Sequence, residues 1–224
     1  MKYIWTEDTG AGLHYWKLVK QYLLSDEYKV ESKQSNQGLL DAVRVIDLSA
    51  DNTYFIAFDI VYDNMDIMNK YLDLSALAKE SKGNIKLIDT TCFEYIILAF
   101  TELIHWTECG RKDKIAIREN ILRAMNGHQI DLDQITDEKT LQYLMGFRRY
   151  STERVMKSLV NELTDQKKWS VKGTLMGKCW YQDCCVMNPN ETCDVNNMSG
   201  EQKVLTLLRD YETSRLLGIF DGCE

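Results

Sequence analysis

The chain has 224 residues, of which 45% are hydrophobic, and a net charge of -7 from 27 Lys and Arg against 34 Asp and Glu. That apolar content supports a sizeable core, and the acidic balance excludes a protein held on nucleic acid by bulk charge alone. No apolar run approaches the roughly 18 residues of a membrane span, so no membrane partner is expected.

The first part of the chain alternates in type. Residues 2–6 read as a short strand closed by Glu7 and Asp8. This opening meets an acid too early for a signal peptide, and a cytoplasmic location is the resulting expectation. Gly10-Ala11-Gly12 makes a turn, and residues 13–24 carry apolar side chains at helical spacing. Residues 28–31 are a short candidate strand. Residues 39–48 fit an amphipathic helix with Asn36 as its N-cap. Residues 53–59, dense in aromatic and β-branched types, are a strand closed by Asp59, with Asp63 just beyond. A helix over 65–79, a strand over 84–88 and one long, very apolar helix over 92–106 follow.

This β-α-β-α-β-α-β-α order predicts an open, mainly parallel α/β sheet flanked by helices, with right-handed crossovers. From about Cys109 the strands stop. Helices are expected over 115–125, 139–149 and 151–163, the last with an N-terminus at Ser151 and Glu153. Ser199-Gly200-Glu201-Gln202 matches a capping box that opens a last helix through Leu217, ended by Gly218. The chain therefore divides into an α/β domain, residues 1–108, and a mostly helical extension, residues 109–224.

Seven cysteines, an odd number with an adjacent pair, suit reduced thiols better than a disulfide framework. Cys179, Cys184, Cys185 and Cys193 fall in one turn-rich segment with the single proline, Pro189. Four thiolates are enough for a structural Zn²⁺ site; free thiols packed beside Trp180 and Tyr181 are the simpler reading. Arg148-Arg149, Arg154 and Lys157, and Lys167-Lys168-Trp169, are basic stretches that suit phosphates or a solvated face. His14 lies a turn beyond Glu7.

The chemistry sits at the strand ends. In open α/β sheets ligands bind outside the carboxyl ends of the strands. Carboxylates there are hard oxygen ligands for Mg²⁺ or Mn²⁺ and, through the ion, for phosphate. Capping of the next helix is the alternative for the residues after Asp59. For Glu94 the alternative is a carboxylate favoured by a helix N-terminus.

Three motifs in this order resemble a known fold. They are Lys2-Tyr-Ile-Trp-Thr-Glu7-Asp8 before a glycine turn, Phe55-Ile-Ala-Phe-Asp59-Ile-Val-Tyr-Asp63, and Cys92-Phe-Glu94-Tyr-Ile-Ile-Leu-Ala-Phe. Over residues 2–106 the chain is similar to the TOPRIM family, in its OLD-nuclease and RloB-like branch of phage-defence proteins. The resemblance implies a Mg-dependent nuclease of a mobile-element or phage-defence system, with Glu7 as general acid/base and Asp59 as a metal ligand. It admits DNA or RNA as substrate and a partner ATPase. The second Asp of the family's D-x-D falls at Val61, which cannot bind a metal, so Asp63 is the candidate replacement, with Asp8, Asp66 and Glu94 as further carboxylates. An inactive TOPRIM-like binding or regulatory module is the alternative. The chain also resembles a receiver domain, a phospho-switch in which Asp59 would be phosphorylated, Thr90-Thr91 would follow the fourth strand and Lys112 or Lys114 would supply the lysine.

Overall fold

The computed structural model describes residues 1–107, 109–147, 151–164 and 200–220. Four strands form a parallel sheet in the order β2-β1-β3-β4: β1 is Lys2–Thr6, β2 is Tyr28–Ser32, β3 is Thr53–Asp59 and β4 is Ile85–Thr90. Helices α1 (Ala11–Leu23), α2 (Asn36–Arg44) and α3 (Met65–Glu80) make the crossovers. The first crossover runs from β1 outward to β2, and the second returns over β1 to β3. The winding direction therefore reverses between β1 and β3, which puts a topological switch point there.

Alternation along the strands sends side chains to two cores. Ile4, Phe55, Ala57 and Ile88 face α1, while Trp5, Tyr54, Ile56, Phe58 and Ile85 face α2 and α3. The first core extends into the second half of the chain. It includes Ile117 and Ile121 of α6 (Lys112–Arg123), Leu144 of α7 (Glu138–Met145) and Val155, Met156 and Leu159 of α8 (Thr152–Thr164). Leu207 of α9 (Gly200–Leu208), Leu217 of α10 (Tyr211–Leu217) and Phe220 complete it. Residues on either side of position 108 thus share one core, and no described helix is long and apolar enough to cross a membrane.

Most elements fall where the periodicity puts them, and the differences have tertiary causes. The helix expected over 92–106 is two, α4 (Phe93–Ala99) and α5 (Leu103–Thr107). Arg118 donates from Nε to the Leu98 carbonyl at 2.6 Å and from a terminal nitrogen to that of Phe100 at 3.0 Å. The Thr101 N–H is taken by Asp210 Oδ2 at 3.1 Å. These bonds satisfy the chain ends that a break creates. The same Asp210 precedes α10 and divides the last helix, expected to run unbroken to Leu217, at Arg209 and Asp210. Helix α2 starts earlier than expected, because Ser35 rather than Asn36 is the cap, accepting from the Gly38 N–H. It ends at Arg44, short of Leu48.

A small hairpin, β5 (Met125–Asn126) and β6 (Gln129–Ile130), follows α6 and was not expected from periodicity. Its turn is Gly127-His128, and Gly127 has φ +60, a left-handed conformation suited to glycine. The tip carries His128 back to the end of β4. His128 Nδ1 and Thr91 Oγ1 share a hydrogen bond of 2.9 Å, and His128 Nε2 meets Asp89 Oδ1 at 2.5 Å. Cys179, Cys184, Cys185 and Cys193 lie outside the described residues, as do Arg148-Arg149 and Lys167-Lys168-Trp169.

Candidate functional site at the carboxyl ends of the strands

The parallel register decides which acids meet. Thr6 pairs with Ala57 across β1 and β3, and Asp59 pairs with Thr90 across β3 and β4. Glu7 and Asp8 therefore leave β1 beside the end of β3, at the switch point. Burial pushes the Glu7 carboxyl up to about 7, and the neighbouring charges of Asp8 and Glu153 add to the rise. Backbone N–H groups of Asp59 and Asn36 donate to it and oppose that shift. Glu7 thus stands near the end of β3 and the first residue of α2.

Asp8 turns back over its own loop. Its Oδ2 accepts from Thr6 Oγ1 at 2.9 Å, and its N–H donates to the same oxygen at 3.1 Å. The carboxylate rests on Gly12 in the first turn of α1, where any Cβ would overlap it. The glycine turn is therefore shaped around an aspartate, whose charge suits the positive end of the helix. Burial raises the Asp8 carboxyl, against the Thr6 hydroxyl, which lowers it.

Asp59 is held well above the usual carboxylate range, first by burial and then by Glu7, Asp8, Glu94 and Glu153. Glu94 stands in the first turn of α4. It is raised by burial, which outweighs its own N–H and the charge of Lys157, while Glu153 and Asp8 push it further up. Among the described residues no Lys or Arg forms an ion pair with Glu7, Asp8 or Asp59. Burial is the larger cause of these shifts, and for Glu7, Asp59 and Glu94 the repulsion of neighbouring acids adds to it.

Asp63 is engaged by the second half of the chain. Its Oδ2 accepts from the N–H of Thr152 at 2.7 Å and from Thr152 Oγ1 at 2.9 Å. Capping of α3 by the residues after Asp59, the alternative reading of that stretch, is met by Asn64, which accepts from Asp66 and Ile67. Asp66 pairs with Lys70 on the exposed face of α3. Val61 is fully buried in the core beneath α2 and α3. An Asp there would be an unpaired charge in apolar surroundings, which accounts for the residue found.

Glu153 comes from α8, in the second half of the chain, and acts on Glu7, Asp59 and Glu94 alike. Its sequence context offers only a helix N-terminus. His14 is buried within α1. Of the lysines considered for a receiver, Lys112 is exposed, and Lys114 pairs with Glu162 at 2.7 Å and lies over the Tyr143 ring.

The donor set suits a hard divalent cation: carboxylate oxygens, partly desolvated, with mutual repulsion that a cation would relieve. Among the described residues no three His, Cys, Asp or Glu side chains are gathered at metal-ligand spacing as they stand. Comparison with known proteins adds no identity. No family model matches the chain, and neither a curated protein nor a solved structure is significantly similar to it.

Proposed function

We propose that this chain is a Mg²⁺- or Mn²⁺-dependent nucleic-acid enzyme that hydrolyses phosphodiester bonds, a TOPRIM-like nuclease of a mobile-element or phage-defence system. The observation that carries the reading is the electrostatic coupling of Glu7, Asp8, Asp59, Glu94 and Glu153 about the switch point, with the Glu7, Asp8, Asp59 and Glu94 carboxyls raised and, among the described residues, no Lys or Arg paired with Glu7, Asp8 or Asp59. Glu7 and Asp59 are the residues that would hold the ion, with Glu153 standing nearer to them in effect than Asp63 does. A bound Mg²⁺ or Mn²⁺ supplies charge stabilisation at the phosphate and lowers the pKa of a water.

The protein's own part is positioning and proton transfer. Without a bound cation, burial lifts the Glu7 carboxyl to about 7, which suits a group that takes or gives a proton near neutrality. Hydrolysis forms a bond from water oxygen to phosphorus and breaks the bond to the leaving oxygen; Glu7 accepts the water's proton, and the leaving oxygen takes one from solvent water. DNA or RNA is the substrate, and a partner ATPase is compatible with the same arrangement. A second reading, a catalytically silent binding or regulatory module, is favoured by the apolar packing of Val61 where a second D-x-D acid would stand.

The test is cleavage of single- and double-stranded DNA and RNA by purified protein with Mg²⁺ or Mn²⁺, beside Glu7→Gln and Asp59→Asn. The nuclease reading expects cleavage that both substitutions reduce at least about a hundredfold. Absence of cleavage across all substrates supports the silent module.

A further inference from the structure

We infer that Asp63 is a positioning residue, whose carboxylate anchors Thr152 and so fixes Glu153 at the edge of the carboxylate site. The inference rests on the reading of that site as a divalent-cation site and names how its second-half acid is held there. Thr152 is the first residue of α8 and is fully buried. Its N–H is one of the donors that no helix can satisfy internally. Asp63, 89 residues earlier, accepts both that N–H and the hydroxyl with a single oxygen. An anion at a helix start is favoured by the dipole as well.

Farther along α8, Glu162 pairs with Lys114 at 2.7 Å and accepts from Tyr143 Oη at 2.8 Å, while the Asp63–Thr152 bonds tie its first turn. Val155, Met156, Leu159 and Leu163 turn an apolar face to the core and set the rotation of the helix. The Asp63–Thr152 bonds are directional and fix the first turn, which carries Glu153, against the loop after β3. The loop that carries Asp63 is itself fixed: the Ile60 N–H donates to the Thr90 carbonyl, the Asn64 N–H donates to that of Val61, and Ile60 and Val61 are buried. One short segment after β3 therefore holds Asp59 at its start and the approach of Glu153 at its end. Asp63 acts on the site through Thr152.

Two readouts test this on the full chain. The first is hydrogen exchange at residues 152–154 without metal, which Asp63→Ala and Thr152→Val accelerate and Thr152→Ser leaves unchanged. Unchanged exchange in Asp63→Ala overturns the anchoring. The second is Mn²⁺ affinity by calorimetry. Glu153→Gln and Asp63→Ala each weaken it about tenfold, in the range for residues that orient a metal site. The double variant is no weaker than either single one, because both remove the same contribution. Additive losses, or a folded Asp63→Ala with wild-type affinity while Glu7→Gln loses binding, overturn the inference alone. Wild-type protein that binds no Mn²⁺ overturns the reading of the site and the inference with it. If Asp63→Ala does not fold, Thr152→Val, which deletes only the hydroxyl bond, decides between the outcomes in the same two assays.

Discussion

The Asp8 carboxylate lies against Gly12, so that a Cβ on residue 12 would overlap Asp8 Cγ and both carboxylate oxygens. Gly12→Ala therefore forces Asp8 out of its bond with Thr6 or shifts the start of α1. The expected cost is about 1–3 kcal/mol, the range for overpacking at a close contact. In Asp8→Ala the obstacle is gone, and adding Gly12→Ala then costs little. Urea unfolding of the two single variants and the double one checks this. Additive losses would show that Gly12 is confined by something other than Asp8.

Glu7 makes stability depend on pH in a defined direction. Its carboxyl rises from 4.5 to about 7 on folding, so the folded state binds the proton more tightly than the unfolded chain. The contribution is fully present below about pH 4.5 and is lost as pH rises through about 7. Its size is on the order of 3 kcal/mol. Asp8, Asp59 and Glu94 shift in the same direction. Unfolding midpoints in chelator at pH 5 and pH 8 should show Glu7→Gln gaining on the wild type as pH rises. An unchanged difference between the two proteins at both values would contradict the burial of Glu7.

His128 ties the hairpin to the end of β4 through one buried and one exposed partner. Thr91 is 3% exposed, whereas the Asp89 side chain is 72% exposed. His128→Ala leaves the Thr91 hydroxyl buried without its partner and should cost about 2 kcal/mol. Asp89→Ala breaks a bond in water and should cost less than about 1 kcal/mol. Thermal unfolding of both variants measures the ratio.

Arg118 holds open the break between α4 and α5 by donating to the Leu98 and Phe100 carbonyls. Arg118→Met strands both acceptors beside a core and should destabilise by about 2–4 kcal/mol. Arg118→Lys should recover less than half of that, since an ammonium cannot reproduce the guanidinium fork. Chemical denaturation of the three proteins distinguishes these outcomes; full rescue by lysine would assign the effect to charge alone.

What the residues told in advance follows from how local each cause is. β3 was legible to its last residue because Tyr54 to Phe58 combine strand-forming types with burial on both faces. The acids at its end were legible because Asp59 stops that run. The breaks at Phe100 and Asp210 were not legible, because Arg118 lies 18 residues from Phe100 and Asp210 lies 109 from Thr101. The hairpin had a local signal that periodicity overlooks, Gly127 at the first central position of its two-residue turn, followed by His128. Glu153 had none beyond a helix start. It reaches the site only because α8 packs on the α4 side of the sheet, and no spacing in the chain announces that. Asp63, expected as a ligand, is engaged by Thr152 for the same kind of reason.

The proposed nuclease requires Glu7 and Asp59 to share one divalent cation at the switch point. A crystal of the protein soaked in Mn²⁺, with anomalous scattering recorded, tests it most directly. One strong peak is expected about 2.0–2.6 Å from carboxylate oxygens of both Glu7 and Asp59, with Glu153 facing it and Asp63 still on Thr152. No peak there, or a peak bound by Asp63 without Glu7 and Asp59, would contradict it.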